Sequence, residues 1–285
     1  MIQDIAPSVF RNEYDPDGKA DASSRVLFFS GSNVLMKGEG SAMELPSLEE
    51  LDFAGVTAPD LRFLFRVDGR GIFLLPDRET GIDPENLPPG WHFEPVMYYR
   101  NDRRSPKSQA YSVLTGYQLR NWYRDNRFCG TCGSRTELSS AERAVRCPSC
   151  GRVIYPRIVP AVIVAVVDGD RILLTKYANR PFKNYALIAG FTEIGETLEE
   201  TVAREVMEEA GLRVKNIRYY KSQPWGIVDD LLAGFICEVD GSREIHMDRQ
   251  ELKEAEWVKR EDIPGEDDDF SLTSEMMHRF KAGKL

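Results

Sequence analysis

Residues 190–212 read GFTEIGETLEETVAREVMEEAGL, and how this stretch folds decides the reading of the rest of the chain. The segment Thr197–Ala210 is expected to be a helix, with Gly211 as its stop. Val202, Val206 and Leu212 are its apolar anchors. Residues three and four apart on a helix share a face. Glu205, Glu208 and Glu209 therefore project together from its C-terminal half, while Glu196 lies in the preceding loop, opened by Gly190 and Gly195. Carboxylates held this close repel one another unless cations sit among them. Hard divalent ions with oxygen ligands, Mg2+ or Mn2+, suit such a group. Arg204 can brace the array by pairing with a loop carboxylate. The bland alternative is a charged helix facing solvent.

Outward from this helix the pattern is α/β. Val159–Val167 reads as a strand, Asp168-Gly169-Asp170 as a turn and Arg171–Lys176 as the partner strand. Val214–Tyr220 and Ala233–Val239 read as further strands. Gly265–Asp269 is an acidic loop, and Ser271–Lys281 a short closing helix. Upstream, Ala110–Asn126 reads as a helix. The first 100 residues are β-rich. Gly31-Ser32-Asn33 marks one hairpin between Arg25–Ser30 and Val34–Lys37, and Asp68-Gly69-Arg70 marks another between Leu61–Val67 and Gly71–Leu75. Pro84–Pro95 holds four prolines and reads as a loop. Arg100–Lys107 holds four basic residues and is either a solvated connection or a phosphate-facing loop. No fixed-period repeat is present.

Between these halves stand Cys129-Gly-Thr-Cys132 and Cys147-Pro-Ser-Cys150. Two such knuckles bring four thiolates to one point, a closed tetrahedral site that suits zinc. With no open position, that zinc is structural, one ion per chain. The fifth cysteine, Cys237, sits in an apolar run and is expected in the core. His92, His246 and His278 are far apart and read as ordinary structural or surface residues.

Composition sets the outer limits. The chain has 285 residues, 42% apolar and 29% charged, about two domains of ordinary globular make-up. A disordered chain is excluded, and no apolar run reaches the length of a membrane-spanning helix. The longest such run is Ile158–Val167. The start of the sequence shows no secretory signal, so the cytoplasm is the expected location and no membrane partner is expected. The net charge of −9 argues against long-range attraction of nucleic acid by the whole molecule. An anionic substrate would need local metal ions or a few placed basic groups.

The spacing Gly190, Glu196, Arg204-Glu205-Val206, Glu208-Glu209, Gly211-Leu212 matches every fixed position of the Nudix box, so the segment resembles a Nudix hydrolase. With a zinc ribbon before it and a β-rich domain before both, the chain resembles the NADH pyrophosphatase family. Tyr155-Pro156, Ala189-Gly190-Phe191 and Ser222-Gln223-Pro224-Trp225 carry that likeness. The resemblance implies an α+β fold: a Nudix α/β/α sandwich with a preceding zinc ribbon and a β-rich, Nudix-like N-terminal domain. The corresponding divisions are 1–107, a linking helix 108–126, a ribbon 127–156 and a Nudix domain 157–285.

The resemblance also implies an activity, hydrolysis of the pyrophosphate of NADH or NAD+ to nicotinamide mononucleotide and AMP, with removal of NAD caps from RNA in some members. Glu205 and Glu209 would hold Mg2+ or Mn2+, joined by Glu251 and the Ala189 carbonyl. Glu208 would be a ligand through water or a helper base. Tyr155 and Phe191 would stack on a base. Glu142, Gln223, Trp225 and Asp230 would contact substrate, and two chains would form a homodimer. Two other readings stay open: a Nudix hydrolase of another nucleoside diphosphate derivative such as ADP-ribose, and a zinc-ribbon nucleic-acid binder or ligand sensor without catalysis. The chain departs from the family after Trp225, where Gly226-Ile-Val-Asp-Asp230 replaces Pro-Phe-Pro-x-Ser. Loss of two prolines is expected to loosen that loop.

Overall fold

The computed structural model describes residues 1–76, 82–100, 102, 104–178 and 184–285. Asn101 and Arg103, in the basic stretch 100–107, lie outside the described residues. The chain divides into two compact units. One comprises residues 2–157 with 226–229, and the other Met1, 158–225 and 230–285.

In the first unit, β1 (Phe10–Arg11), β2 (Arg25–Ser30), β3 (Asn33–Lys37), β4 (Arg62–Val67), β5 (Arg70–Leu75) and β6 (Trp91–Pro95) form one sheet in the order β1-β4-β5-β2-β3-β6. Both expected hairpins are present, and β2 runs parallel to β5. Trp91–Pro95 is a strand and not the loop that its prolines suggested. It pairs antiparallel with β3, Leu35 opposite Phe93. Pro95 is tolerated because it ends a strand at the sheet edge, where its missing N–H breaks no ladder. Helix α1 (Lys107–Asp125) follows. A Cβ on its Gly116 would lie 2.2 Å from Leu27 Cδ1, so the helix backbone packs tightly on one face of the sheet. On the opposite face Val26, Phe28 and Leu75 pack with Leu51 from a 3-10 turn, Glu49–Ala54. The ribbon closes the unit with three two-residue strands, β7 (Glu137–Leu138), β8 (Val145–Arg146) and β9 (Val153–Ile154).

The second unit contains β10 (Val159–Asp168), β11 (Arg171–Tyr177), β12 (Ile188–Phe191), α2 (Leu198–Ala210), β13 (Val214–Trp225), β14 (Asp230–Val239), β15 (Leu252–Lys259) and α3 (Leu272–Lys281). Its sheet order is β13-β14-β10-β11-β15, with β12 also paired to β10. Strand β10 sits beside β14 in parallel register, from Val159 opposite Asp230 to Val167 opposite Glu238. The two-residue period of a strand explains why β10 is apolar throughout. Val162, Val164 and Val166 face a core shared with Val202, Val206 and Ala210 of α2. Ile163 and Ala165 face the other core, with Leu272, Met276 and Phe280 of α3. Burying each such side chain contributes on the order of 1.5–3 kcal/mol before ordering costs. Cys237 lies in the α2-side core, as expected.

The two units share a topology. In each, a first strand pairs antiparallel with its successor and parallel with the second strand of a later hairpin. A final strand joins the far edge and a helix follows, so β2, β3, β4, β5, β6 and α1 correspond in order to β10, β11, β13, β14, β15 and α3. The long carboxylate-bearing helix of the second unit has only 3-10 turns, Glu49–Ala54 and Ala58–Asp60, as its counterpart. The N-terminal region is thus Nudix-like in connectivity without the box, a likeness that no sequence period announces.

Helix α2 begins at a capping box. Thr197 Oγ1 accepts from the Glu200 backbone N–H, and the Glu200 carboxylate accepts from that of Thr197. It ends at Gly211, which takes φ +68°. A Cβ there would lie 2.7 Å from His246 Cβ. Gly211→Ala is therefore expected to lower the stability of this unit by about 1–2 kcal/mol or more, through left-handed strain and a clash. Thermal unfolding of the full chain checks this, and an unchanged transition would contradict it.

Candidate functional site

The expected helix places the box carboxylates at one end of β12 and along α2, and Arg204 organises them. Its Nε and Nη2 donate to Glu196 Oε1 and Oε2 at 2.6 and 2.9 Å. Its Nη1 donates to Glu205 Oε1 at 2.7 Å and to Glu208 Oε2 at 2.9 Å, and its Nη2 also reaches the Phe191 carbonyl at 2.9 Å. One guanidinium thus binds three carboxylates and ties α2 to the strand that opens the box. Bidentate geometry makes the Glu196 contact the strongest of these. Glu196 Oε2 accepts further from Thr201 Oγ1 and from the Glu193 backbone N–H. Arg204 and that backbone N–H hold the Glu196 carboxyl down at about 2. Thr201, fully buried one turn before Arg204, was not among the expected residues. Its position three residues from Arg204 on the same face is a signal that could have found it.

Glu205 and Glu209 turn inward and are only 9% and 2% exposed. Burial raises the Glu205 pKa, Arg204 opposes that rise, and the charges of Glu208 and Glu251 add to it. Gly190 makes room for this side chain: a Cβ at 190 would lie 2.0 Å from Glu205 Cδ. The glycine that opens the box thus leaves open the space in which the Glu205 carboxylate sits. Ala189 lies beside it in β12, opposite Ile163. Glu251 stands immediately before β15, and its carbonyl accepts from Ala178 N–H at 2.9 Å.

Buried, oxygen-only donors fit a hard divalent ion by their chemistry. Their present arrangement is not that of a closed cage. Among the described residues, the only group of three or more acidic, His or Cys side chains whose ligand atoms converge within 4.8 Å is the four cysteines. Glu205 and Glu208 each lend an oxygen to Arg204 instead.

The segment after the box differs from expectation. Strand β13 continues through Ser222–Trp225, and Trp225 pairs with Asp230. Residues 226–229 form a four-residue turn, so the loss of two prolines has left a tight connection and not a loosened loop. A Cβ on Gly226 would meet the Leu114 carbonyl oxygen at 2.4 Å, an approach that only glycine permits here. Gln223 is 1% exposed and donates to the Phe270 carbonyl at 2.7 Å while accepting from the Leu272 N–H at 2.8 Å. Its amide holds the start of α3. Asp230 is buried at the head of β14.

Phe191 is 52% exposed in the unit that carries the box, and Tyr155 is 57% exposed in the other. Large rings left this open are available for stacking. Tyr155 Oη donates to Glu142 Oε1 at 2.9 Å, so these two expected contacts meet each other.

In the ribbon, Cys129 Sγ lies 3.6 Å from Cys150 Sγ, and Cys132 Sγ lies 3.5 Å from Cys147 Sγ. Zinc–sulfur bonds of about 2.3 Å require tetrahedron edges of about 3.8 Å, so the four fit the ion. Backbone N–H groups of Thr131 and Cys150 point at the Cys129 and Cys147 sulfurs. The Ser134 hydroxyl and backbone N–H pull the Cys132 thiol down to about 6, toward the thiolate form that ligates metal.

Comparison with known proteins shows what the chain is similar to. Residues 157–280 match the family described as the NUDIX domain, and residues 124–155 match the NADH pyrophosphatase zinc ribbon domain. The chain is 41% identical over 186 residues to a NAD-capped RNA hydrolase NudC of Klebsiella pneumoniae, covering 61% of this chain and 72% of the relative. It is 40% identical over 185 residues to the protein of the same name from Escherichia coli, with the same coverage. The solved NUDIX hydrolase of Nitrosomonas europaea is similar over 55% of this chain and 92% of its own, with TM-score 0.48 at 24% identity.

Two expectations follow. The stability that Glu196 draws from Arg204 is complete above the ordinary glutamate range near pH 4.3 and is lost as pH falls toward about 2. Arg204→Met should therefore flatten the acid limb of a plot of Tm against pH, and an unaltered limb would contradict the clamp. Removing zinc with a strong chelator should unfold the ribbon, because structural zinc supplies its folding free energy. Circular dichroism and melting curves before and after chelation test this, and identical curves would refute it.

Proposed function

The chain belongs to the zinc-ribbon Nudix hydrolases of the NADH pyrophosphatase family, and from that premise we propose that it cleaves the pyrophosphate of NADH or NAD+ to nicotinamide mononucleotide and AMP. Removal of an NAD cap from RNA, the activity for which the relatives at 40–41% identity are named, is the same bond cleavage on a longer substrate. The observation that carries the reading is the buried pair Glu205 and Glu209 on α2, with Glu205 held beside Glu196 and Glu208 by Arg204.

Nudix hydrolases use Mg2+ or Mn2+, which neutralise phosphate oxygens and acidify a bound water. In this chain Glu205 and Glu209 would hold the ion, with Glu251 and the Ala189 carbonyl as further ligands and Glu208 as a ligand through water or a helper base. Arg204 fixes Glu205 and Glu208 in place and neutralises part of their mutual repulsion. Glu196 acts on Arg204, keeping it against the box. Phe191 and Tyr155 offer stacking rings for a base, and Glu142 orients Tyr155. Trp225 and Asp230, at the ends of β13 and β14, flank the turn where the chain departs from its family and are proposed as substrate contacts. Gln223 is proposed to act indirectly, through the start of α3. The four divisions 1–107, 108–126, 127–156 and 157–285 are proposed as the functional parts, and a homodimer as the working assembly. No helix among the described residues is long and apolar enough to cross a membrane. We place the reaction in the cytoplasm, where clustered thiols stay reduced or metal-bound.

Turnover on NADH, NAD+, ADP-ribose and NAD-capped RNA, measured in parallel with Mg2+ or Mn2+, tests this. Nicotinamide mononucleotide and AMP are expected from the dinucleotide. Activity confined to ADP-ribose would show that the turn at 226–229 has redirected the enzyme. Glu209→Gln should lower kcat by about a thousandfold or more with the fold intact, since a metal ligand is lost without loss of volume. A Glu209→Gln enzyme with ordinary turnover would remove this assignment.

A further inference from the structure

The ribbon loop that carries Glu142 is held at both ends by the N-terminal sheet region of the same unit. At one end Tyr14 Oη donates to the Ser139 carbonyl at 2.6 Å. At the other, Arg143 Nη2 donates to the Leu64 carbonyl at 2.6 Å, with Asn12 Oδ1 at 3.2 Å. The Arg143 guanidinium also lies over the Tyr14 ring, 5.5 Å from its centroid, so the two anchors brace each other. Between them the loop is drawn tight. Ser139 N–H donates to the Ala144 carbonyl at 3.0 Å, and Ala144 N–H to the Glu142 carbonyl at 2.7 Å. Glu142 therefore stands on a short arch with both feet fixed, its carboxylate accepting from Tyr155 Oη at 2.9 Å.

We propose that Arg143, with Tyr14, is a positioning residue for the substrate, and that the N-terminal region serves as the mount that sets the Glu142–Tyr155 pair. This rests on the reading of that pair as a substrate contact. The physical reason is preorganisation. A carboxylate on an exposed loop samples many positions, and binding must bear the cost of selecting one. Arg143 removes that cost in advance. Its planar guanidinium, lying over the Tyr14 ring while Nη2 donates to Leu64 and Asn12, fixes a direction that a lysine ammonium would leave free. Neither residue belongs to the box, so the effect is expected on binding and not on the chemical step.

The test is steady-state kinetics of the full chain on NADH with Mn2+, in a cycle of four proteins: the unmodified chain, Arg143→Met, Glu142→Ala and the double variant. Arg143→Met is expected to raise KM roughly five- to tenfold with kcat within about twofold, the signature of lost uniform binding. On the Glu142→Ala background it should have no further effect, because the group it positions has gone. Arg143→Lys should restore part of the loss. Tyr14→Phe, which removes one hydroxyl and keeps the ring, should move KM in the same direction by less, and it guards against misfolding of the methionine variant. An unchanged KM in Arg143→Met, or an equal effect with and without Glu142, would overturn the proposal while leaving the pair's role standing. If Glu142→Ala itself leaves KM unchanged, the substrate-contact reading fails, and this proposal with it.

Discussion

Four carboxylates crowd one end of a short strand and the helix that follows it, and their repulsion is the constraint that the rest of the second unit answers. Arg204 meets it directly, with three of the four on one guanidinium. The answer is incomplete by design: a single positive charge leaves the cluster in net negative balance, and two of its members are buried where water screens them poorly. Such a site holds its own geometry in isolation yet keeps an appetite for further cations. The capping box at Thr197, the small residue at Gly190 and the stop at Gly211 all keep the helix in the one position that allows this.

What the sequence revealed and what it hid follow one rule. Features fixed by neighbours a few residues away were legible: the α2 boundaries, the two cysteine knuckles, three of the hairpins and the Arg204–Glu196 brace. Features fixed by distant partners were not. Trp91–Pro95 became a strand because β3 offered it an edge, and local proline content argued the other way. Ile188–Phe191 is only four residues long and overlaps the opening of the box, so its strand character was masked by its motif. Gln223 belongs to a signature associated with the active site, yet its amide is spent on Phe270 and Leu272, more than 45 residues along the chain. Nothing local distinguishes a glutamine that faces substrate from one that seats a helix.

The shared topology of the two units gives the N-terminal region a physical logic. A sheet of this connectivity has two faces to cover. In the second unit α2 and α3 cover them, and in the first α1 and the 3-10 turns do. With 3-10 turns where the second unit has its carboxylate helix, the first unit has no box charges to neutralise. The ribbon loop meets this unit at Tyr14 and at the Leu64 carbonyl of β4.

The parallel pairing at the centre of each sheet also bears on how the protein comes into being. Strands β10 and β14 meet across roughly 70 residues of chain, and β2 and β5 across roughly 50. Such contacts pay their loop-closure entropy before they return any stability, so each unit assembles late, around its most distant partners. Until β14 arrives, the apolar length of β10 is an open edge. During synthesis that edge stays exposed while the box helix and all of β13 are made, so an apolar strand is open to misassociation in the interval between two strands that end as neighbours.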